Sequence, residues 1–237
     1  MFLLRACLAP PCCELCPRLI DDLPGLCADC AAHWVELSPW RCEICADPFA
    51  GRELSSHRCG TCLQNSPSFE KVSSAVEFEG SAVGLLHALK FTARKSALGP
   101  LAEKGAPSFR AAVEAFAPDL LVAMPLGWLR RWRRGFNQSY LLLKALRRRA
   151  GIDVPIWRGA RRRTTAPQAR LGRGDRQRAL AHSFRPLKPG SLRDRKILVV
   201  DDVLTTGATA ESFSKCLLQA GARSVQVFAF ARARRKG

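Results

Sequence analysis

Two groups of residues in this sequence have the types and spacing to do chemistry. The first is a set of thiols. Cys13/Cys16, Cys27/Cys30, Cys42/Cys45 and Cys59/Cys62 make four CxxC pairs within fifty residues. Two residues between ligands form a tight turn that aims both sulfurs at one point, and two such turns complete a tetrahedral thiolate cage for zinc. Four pairs predict two closed, structural zinc sites. Sequential pairing, with the first two pairs on one ion and the last two on the other, is the simplest arrangement. An interleaved pairing, an iron–sulfur cluster and redox-active pairs are the alternatives. Cys7 and Cys12 lie outside the pattern and read as spare thiols, with Cys12 an alternative to Cys13. With four thiolates per ion at hand, His33 and His57 read as surface or supporting residues.

The second group is the run Ile197-Leu198-Val199-Val200-Asp201-Asp202-Val203-Leu204-Thr205-Thr206-Gly207-Ala208-Thr209. An apolar strand ends in two carboxylates, a hydroxyl-rich turn with one glycine follows, and a helix begins. Free N–H groups and the positive dipole end at a helix N-terminus hold a phosphate. Thr205, Thr206 and Thr209 add hydroxyl donors, and Gly207 lets backbone approach an anion closely. Asp201 and Asp202 can accept from a sugar diol, directly or through a metal ion. Together these groups suit a phosphorylated sugar. The plainer reading is a strand-to-helix turn with a threonine N-cap and two solvated acids.

The elements that must position these residues follow from periodicity. After a linker-like Gln64-Asn65-Ser66-Pro67-Ser68, strands are expected at 72–78, 119–124, 196–200 and 224–230. Helices are expected at 81–95, at 98–116 with an interruption at Pro107, at 138–149 with Leu141, Leu142 and Ala145 inward, and at 209–220, closed by Gly221. Short apolar strands alternating with helices argue for a parallel sheet covered on both faces. Asn137 and Gln138 are placed to cap the helix that follows them.

The 237 residues suit one ordinary domain plus a small one, and 47% hydrophobic content supports a real core. Thirty-eight Lys/Arg against twenty Asp/Glu give a net charge of +18. Residues 127–178 alone carry sixteen Lys/Arg against Asp153 and Asp175. Such a stretch favours polyanionic partners. Trp128, Trp132, Phe136 and Trp157 lie in it, where aromatic faces can stack bases, although core packing is the commoner use of such residues. Residues 158–180, with few large apolar groups, read as a mobile loop able to close over substrate or to meet nucleic acid. No apolar run reaches the length of a membrane span. The expected location is the cytoplasm, where reduced thiols favour metal over disulfides.

The 197–209 run resembles the signature of type I phosphoribosyltransferases, which bind phosphoribosyl pyrophosphate (PRPP). Phe78-Glu79-Gly80 with Leu89-Lys90-Phe91, the block Arg133-Arg134-Gly135-Phe136-Asn137-Gln138, and the loop residues Thr164, Gln168, Leu171, Arg176 and Phe184 are similar to motifs of the ComF family, also described as GntX-like competence proteins. The chain departs from that family's usual pattern at Phe78, at Ala123-Met124 and at Ala179. The resemblance implies an α/β fold of the type I phosphoribosyltransferase kind with a parallel sheet (residues 67–237), preceded by a small cysteine-rich double zinc ribbon (residues 1–66). It implies that Asp201 and Asp202 engage the ribose hydroxyls as the catalytic pair, and that Thr205, Thr206, Gly207, Ala208 and Thr209 hold the 5-phosphate. Arg130, Arg131, Arg133, Arg134, Arg161, Arg162, Arg163, Gln168 and Arg176 are candidates for pyrophosphate or nucleic acid. The implied cofactors are zinc at two sites and Mg²⁺ with PRPP. The implied partners are PRPP, single-stranded DNA and the helicase or recombination proteins of DNA uptake. Two functions are expected: a phosphoribosyltransferase of unidentified acceptor acting in natural transformation, or a non-catalytic single-strand-binding or adaptor protein that keeps the PRPP fold.

Overall fold

The computed structural model describes residues 11–21, 25–49, 55–127, 134–162, 184–186 and 192–235. Four strands, β1 (Val72–Glu77), β2 (Leu120–Ala123), β5 (Lys196–Leu204) and β6 (Ser224–Arg232), form one sheet in the order β1-β6-β5-β2. Every pairing in it is parallel. The intervening β3 (Ala160–Arg162) and β4 (Phe184–Pro186) make a separate antiparallel ribbon.

The sheet is buried on both faces, as near-continuous apolar strands require. Successive side chains of β5 alternate between two cores. Leu198 and Val200 pack with α3 (Ser81–Phe91), α4 (Leu98–Phe116) and α5 (Gln138–Arg149) through Leu86, Phe109 and Leu142. Ile197 and Val199 pack on the other side with α6 (Ala208–Gln219) through Phe213 and Leu217. Two one-turn helices, α1 (Ala28–Ala32) and α2 (Gly60–Gln64), belong to the cysteine-rich segment. That segment covers the outer edge of β1, where the Glu77 N–H donates to the Val35 carbonyl at 2.9 Å and so satisfies a group that an edge strand leaves open.

Three expectations about these elements are corrected. Helix α4 runs through Pro107 without a break. Pro107 lies on its exposed face, where water can take up the carbonyl that the missing N–H leaves free. On α5 the inward face is Leu142, Leu143 and Leu146, while Leu141 and Ala145 are only partly buried. Strand β5 extends to Leu204, so Asp201 and Asp202 sit inside the hydrogen-bonded strand, Asp201 opposite Ala229.

Because all four strands run the same way, their carboxyl ends share one edge. That edge gathers Glu77–Gly80, Met124–Gly127, Asp201–Gly207 and Arg232. Ligands of open α/β sheets bind at this edge.

Candidate functional site

The acidic pair is built by three elements. Asp201 Oδ1 accepts from the Ser139 hydroxyl in the first turn of α5 at 2.9 Å, and from the Asp202 N–H at 2.9 Å. Asp202 Oδ1 accepts from the Val203 N–H at 2.9 Å, and its Oδ2 forms an ion pair with Lys90 Nζ of α3 at 2.7 Å. Burial first, and the charge of Asp202 second, push the Asp201 carboxyl well above the usual range. Two adjacent carboxylates thus have different surroundings. Asp202 is neutralised by an ammonium, while Asp201 is held by neutral donors and would gain from a cation or from hydroxyls brought by a ligand.

The turn after β5 has the geometry the sequence led one to expect. Gly207 has φ +84°, a left-handed conformation that side-chain-bearing residues rarely adopt, and it forms the N-cap of α6. No side chain caps this end, although the Ala208 N–H reaches Thr206 Oγ1 at 3.4 Å. Thr205 and Thr206 are exposed, while Gly207, Ala208 and Thr209 are partly buried. The result is a helix N-terminus flanked by hydroxyls and open to an anion.

Asn137 fixes the neighbouring strand end. Its Oδ1 accepts from the Ser139 and Tyr140 N–H groups at 3.0 and 3.4 Å, so it is the N-cap of α5. Its Nδ2 donates to the Met124 carbonyl at 3.0 Å and ties that helix to the end of β2. Capping α5 in turn holds Ser139 against Asp201.

Of the cationic candidates, Arg134 lies over the Phe91 ring at 5.5 Å and Arg162 over Phe184 at 5.3 Å. Arg130, Arg131, Arg133, Arg163, Gln168 and Arg176 lie outside the described residues, as does the side chain of Arg161.

The eight cysteines assemble into two groups by sequential pairing, Cys13/Cys16/Cys27/Cys30 and Cys42/Cys45/Cys59/Cys62. Within each group the four sulfurs lie within 4.8 Å of one another. Cys16 and Cys27 Sγ are 3.7 Å apart, as are Cys45 and Cys59 Sγ. A tetrahedral ion with metal–sulfur bonds of about 2.3 Å requires sulfur–sulfur edges of roughly 3.8 Å, so both groups fit. Burial raises the Cys13 and Cys42 thiols, but N–H groups aimed at their sulfurs outweigh it and bring them to about 6 and about 7. Cys30 and Cys45 are pushed up to about 12 and about 11, by burial first and by the sulfurs beside them. Four such sulfurs become thiolates together only around a cation.

Cys12 is exposed and is not one of the four cysteines of the first group. His33 Nδ1 meets the Asp29 carbonyl oxygen at 2.6 Å, and His57 stacks on Phe49 at 4.2 Å, so neither histidine joins a cluster. Among the described residues, no helix is long and apolar enough to cross a membrane.

A parallel sheet with an acid pair and a glycine turn into a helix at its carboxyl edge, fronted by two four-cysteine groups, is the architecture the motifs implied. No family model matches the chain. Curated relatives do. The chain is 35% identical over 225 residues to DNA utilization protein YhgH of Salmonella typhimurium, covering 89% of this chain and 98% of that protein. It is 30% identical over 217 residues to Competence protein F of Haemophilus influenzae, covering 88% and 91%. It is 33% identical over 114 residues to Competence protein ComFC of Bacillus subtilis, covering 48% and 44%. The chain belongs to the ComF family. Among solved structures it is similar to a hypoxanthine phosphoribosyltransferase of Staphylococcus aureus (14% identity, TM-score 0.39, 60% of this chain and 68% of that one). It is also similar to a purine phosphoribosyltransferase of Pyrococcus horikoshii (18% identity, TM-score 0.31, 52% and 66%).

Proposed function

We propose that this chain binds PRPP with Mg²⁺ at the carboxyl edge of its sheet and serves DNA uptake in natural transformation. The observation that carries the ligand is the direct succession of acid pair, left-handed glycine and open helix N-terminus. Asp201 and Asp202 offer oxygens to a ribose diol, and Thr205–Thr209 offer N–H and O–H groups to its phosphate. Mg²⁺ would neutralise the pyrophosphate. The supported reaction class is pentosyl transfer, in which an acceptor takes the anomeric carbon and pyrophosphate leaves. The names of the relatives, competence and DNA utilization proteins, support the cellular role. The two four-cysteine groups are proposed zinc sites within residues 1–66, ahead of a phosphoribosyltransferase-type domain at 67–237, in a cytoplasmic protein.

Calorimetry with PRPP in the presence and absence of Mg²⁺ tests the ligand. Magnesium-dependent binding is expected in the wild type and none in Asp201→Asn/Asp202→Asn. Undiminished binding by a folded double variant would move the pocket elsewhere. Pyrophosphate release with candidate acceptors tests the reaction.

A second reading, binding of single-stranded DNA, draws on the sixteen Lys/Arg of residues 127–178. Affinity for an oligonucleotide would then fall by about 0.7 log units per log unit of salt for each phosphate contacted. A reversed-charge Arg161/Arg162/Arg163 variant with unchanged affinity and slope would remove that cluster from the contact.

A further inference from the structure

A fully buried arginine joins the second four-cysteine group to the phosphate turn. Arg232, the last residue of β6, is 0% exposed. Its Nε donates to the Cys45 carbonyl at 2.9 Å, inside the Cys42–Cys45 knuckle. Its Nη1 donates to the Leu204 and Thr205 carbonyls at 3.2 and 2.6 Å and also reaches the Ala233 carbonyl. Its Nη2 pairs with Asp47 Oδ1 at 2.8 Å. Arg235 repeats the pattern from the surface side. Its Nε lies 3.4 Å from Asp47 Oδ2, and its Nη2 donates to the Thr206 carbonyl at 3.2 Å. Asp47, two residues past Cys45, therefore holds two guanidinium groups, and these hold three consecutive carbonyls, those of Leu204, Thr205 and Thr206.

The consequence is geometric. In a trans peptide the N–H points opposite to the carbonyl of the same plane. Drawing the 204, 205 and 206 carbonyls toward the knuckle turns the Thr205, Thr206 and Gly207 N–H groups away from it. A run of backbone N–H groups facing one side is what an anion site needs. A planar, forked guanidinium can fix several acceptors at once, which an ammonium cannot.

The geometry points to Arg232, with Asp47 and Arg235, as the positioning set through which the second four-cysteine group fixes the shape of the phosphate turn. Binding at the turn then depends on metal in that group and not on metal in the first. This role rests on the PRPP reading for its ligand, but the shape of the turn can be measured without one.

The experiment is amide hydrogen exchange on the ligand-free full-length chain, paired with zinc analysis and PRPP calorimetry. In Asp47→Asn, with both equivalents of metal retained, exchange across residues 204–211 is expected to rise about tenfold. Exchange in β2, α5 and the first four-cysteine group should be unchanged. Cys59→Ser should raise exchange at the same turn, and Cys16→Ser should not. Arg235→Met, which leaves the buried arginine in place, should give a smaller rise centred on Thr206 and Gly207. It serves as the arm to read if Asp47→Asn fails to fold. Wild-type exchange at 204–211 in a folded Asp47→Asn or Arg235→Met variant would overturn the role, as would an equal effect of Cys16→Ser. PRPP affinity should fall about tenfold in Asp47→Asn. A wild type that binds no PRPP would defeat the ligand reading while leaving the exchange result to decide the inference.

Discussion

The two four-cysteine groups share ligand type, spacing and fit to a tetrahedral ion, yet they are held by the rest of the chain in different ways. The first is seated from outside on the start of α3 and on the turn that follows that helix. Ser81 Oγ of α3 donates to the Cys30 carbonyl at 2.5 Å, the Ser81 N–H to the His33 carbonyl at 3.1 Å, and Arg94 Nη1 to the Glu14 carbonyl at 2.9 Å. Leu15, Leu26 and Trp34 lean on the helical core without being fully buried. The second group is part of a core. Cys42, Cys45 and Cys62 are buried together with Phe69, Val72 and Leu204. A metal site seated on a surface adds stability locally. One whose ligands are core residues shares its fate with the sheet and with the turn that leaves it.

The largest expected effect breaks this comparison directly. Cys45→Ser/Cys62→Ser removes two buried ligands and the metal they fit. A loss of about 4 kcal/mol or more is expected, together with one equivalent of zinc. Cys13→Ser/Cys30→Ser should also lose one equivalent but keep the cooperative unfolding of the sheet. Denaturant titration with metal analysis separates the two, and equal losses of stability would erase the distinction between the groups.

Helix α3 is the route by which the first group comes near the site, since it carries Ser81 at one end and Lys90 at the other. Lys90→Met strands Asp202, which is only 7% exposed at its side chain. Breaking such a pair costs about 3–5 kcal/mol when fully buried, and about 2–3 kcal/mol is expected here because Lys90 keeps some contact with water. Adding Asp202→Asn should recover part of that loss in thermal unfolding. A smaller test lies at the other end of the helix. Gly80 has φ +53°, and a methyl group there would clash with the His33 backbone oxygen. Gly80→Ala should cost about 2 kcal/mol by strain and displacement of the first group. PRPP binding at the turn after β5 should be unchanged, and an equal loss of binding would show that the first group also shapes the site.

What was legible in the sequence was local. CxxC pairs, the Asp-Asp strand and the Thr-Thr-Gly turn each carry their geometry within a few residues, so their local arrangement and the parallel sheet followed from spacing and periodicity. The partners of these motifs were not local. Ser139 meets Asp201 across 62 positions, and Arg232 meets Cys45 across 187. Ser139 and Asp47 carry no sequence signal beyond their polarity. Arg232 does carry one, in retrospect. It continues the apolar strand Ser224-Val225-Gln226-Val227-Phe228-Ala229-Phe230-Ala231, where a charge must find buried partners. Pro107 misled because helix propensity takes no account of which face meets water.

The smallest expected effect concerns Asp201, and it runs opposite to that of Lys90→Met. Burial and the neighbouring Asp202 raise its pKa in the folded chain above the value it has unfolded. The folded state then binds the proton more tightly than the unfolded state. Stability from this group is full below the ordinary carboxylate range and declines as pH rises from there through the raised folded value. Above the ordinary carboxylate range this acid is therefore a net burden on the ligand-free protein. Asp201→Asn keeps an oxygen that can accept from the Ser139 hydroxyl and the Asp202 N–H, but it removes the buried charge. Its melting temperature at pH 7 should therefore exceed that of the wild type by a few degrees, corresponding to about 1 kcal/mol. The gap should close on acidification toward the ordinary carboxylate range. Magnesium-dependent PRPP binding should be lost in the same variant. A variant less stable than the wild type at pH 7, or a gap that widens in acid, would mean that the carboxylate is stabilised where it stands. The burden would then lie elsewhere in the site.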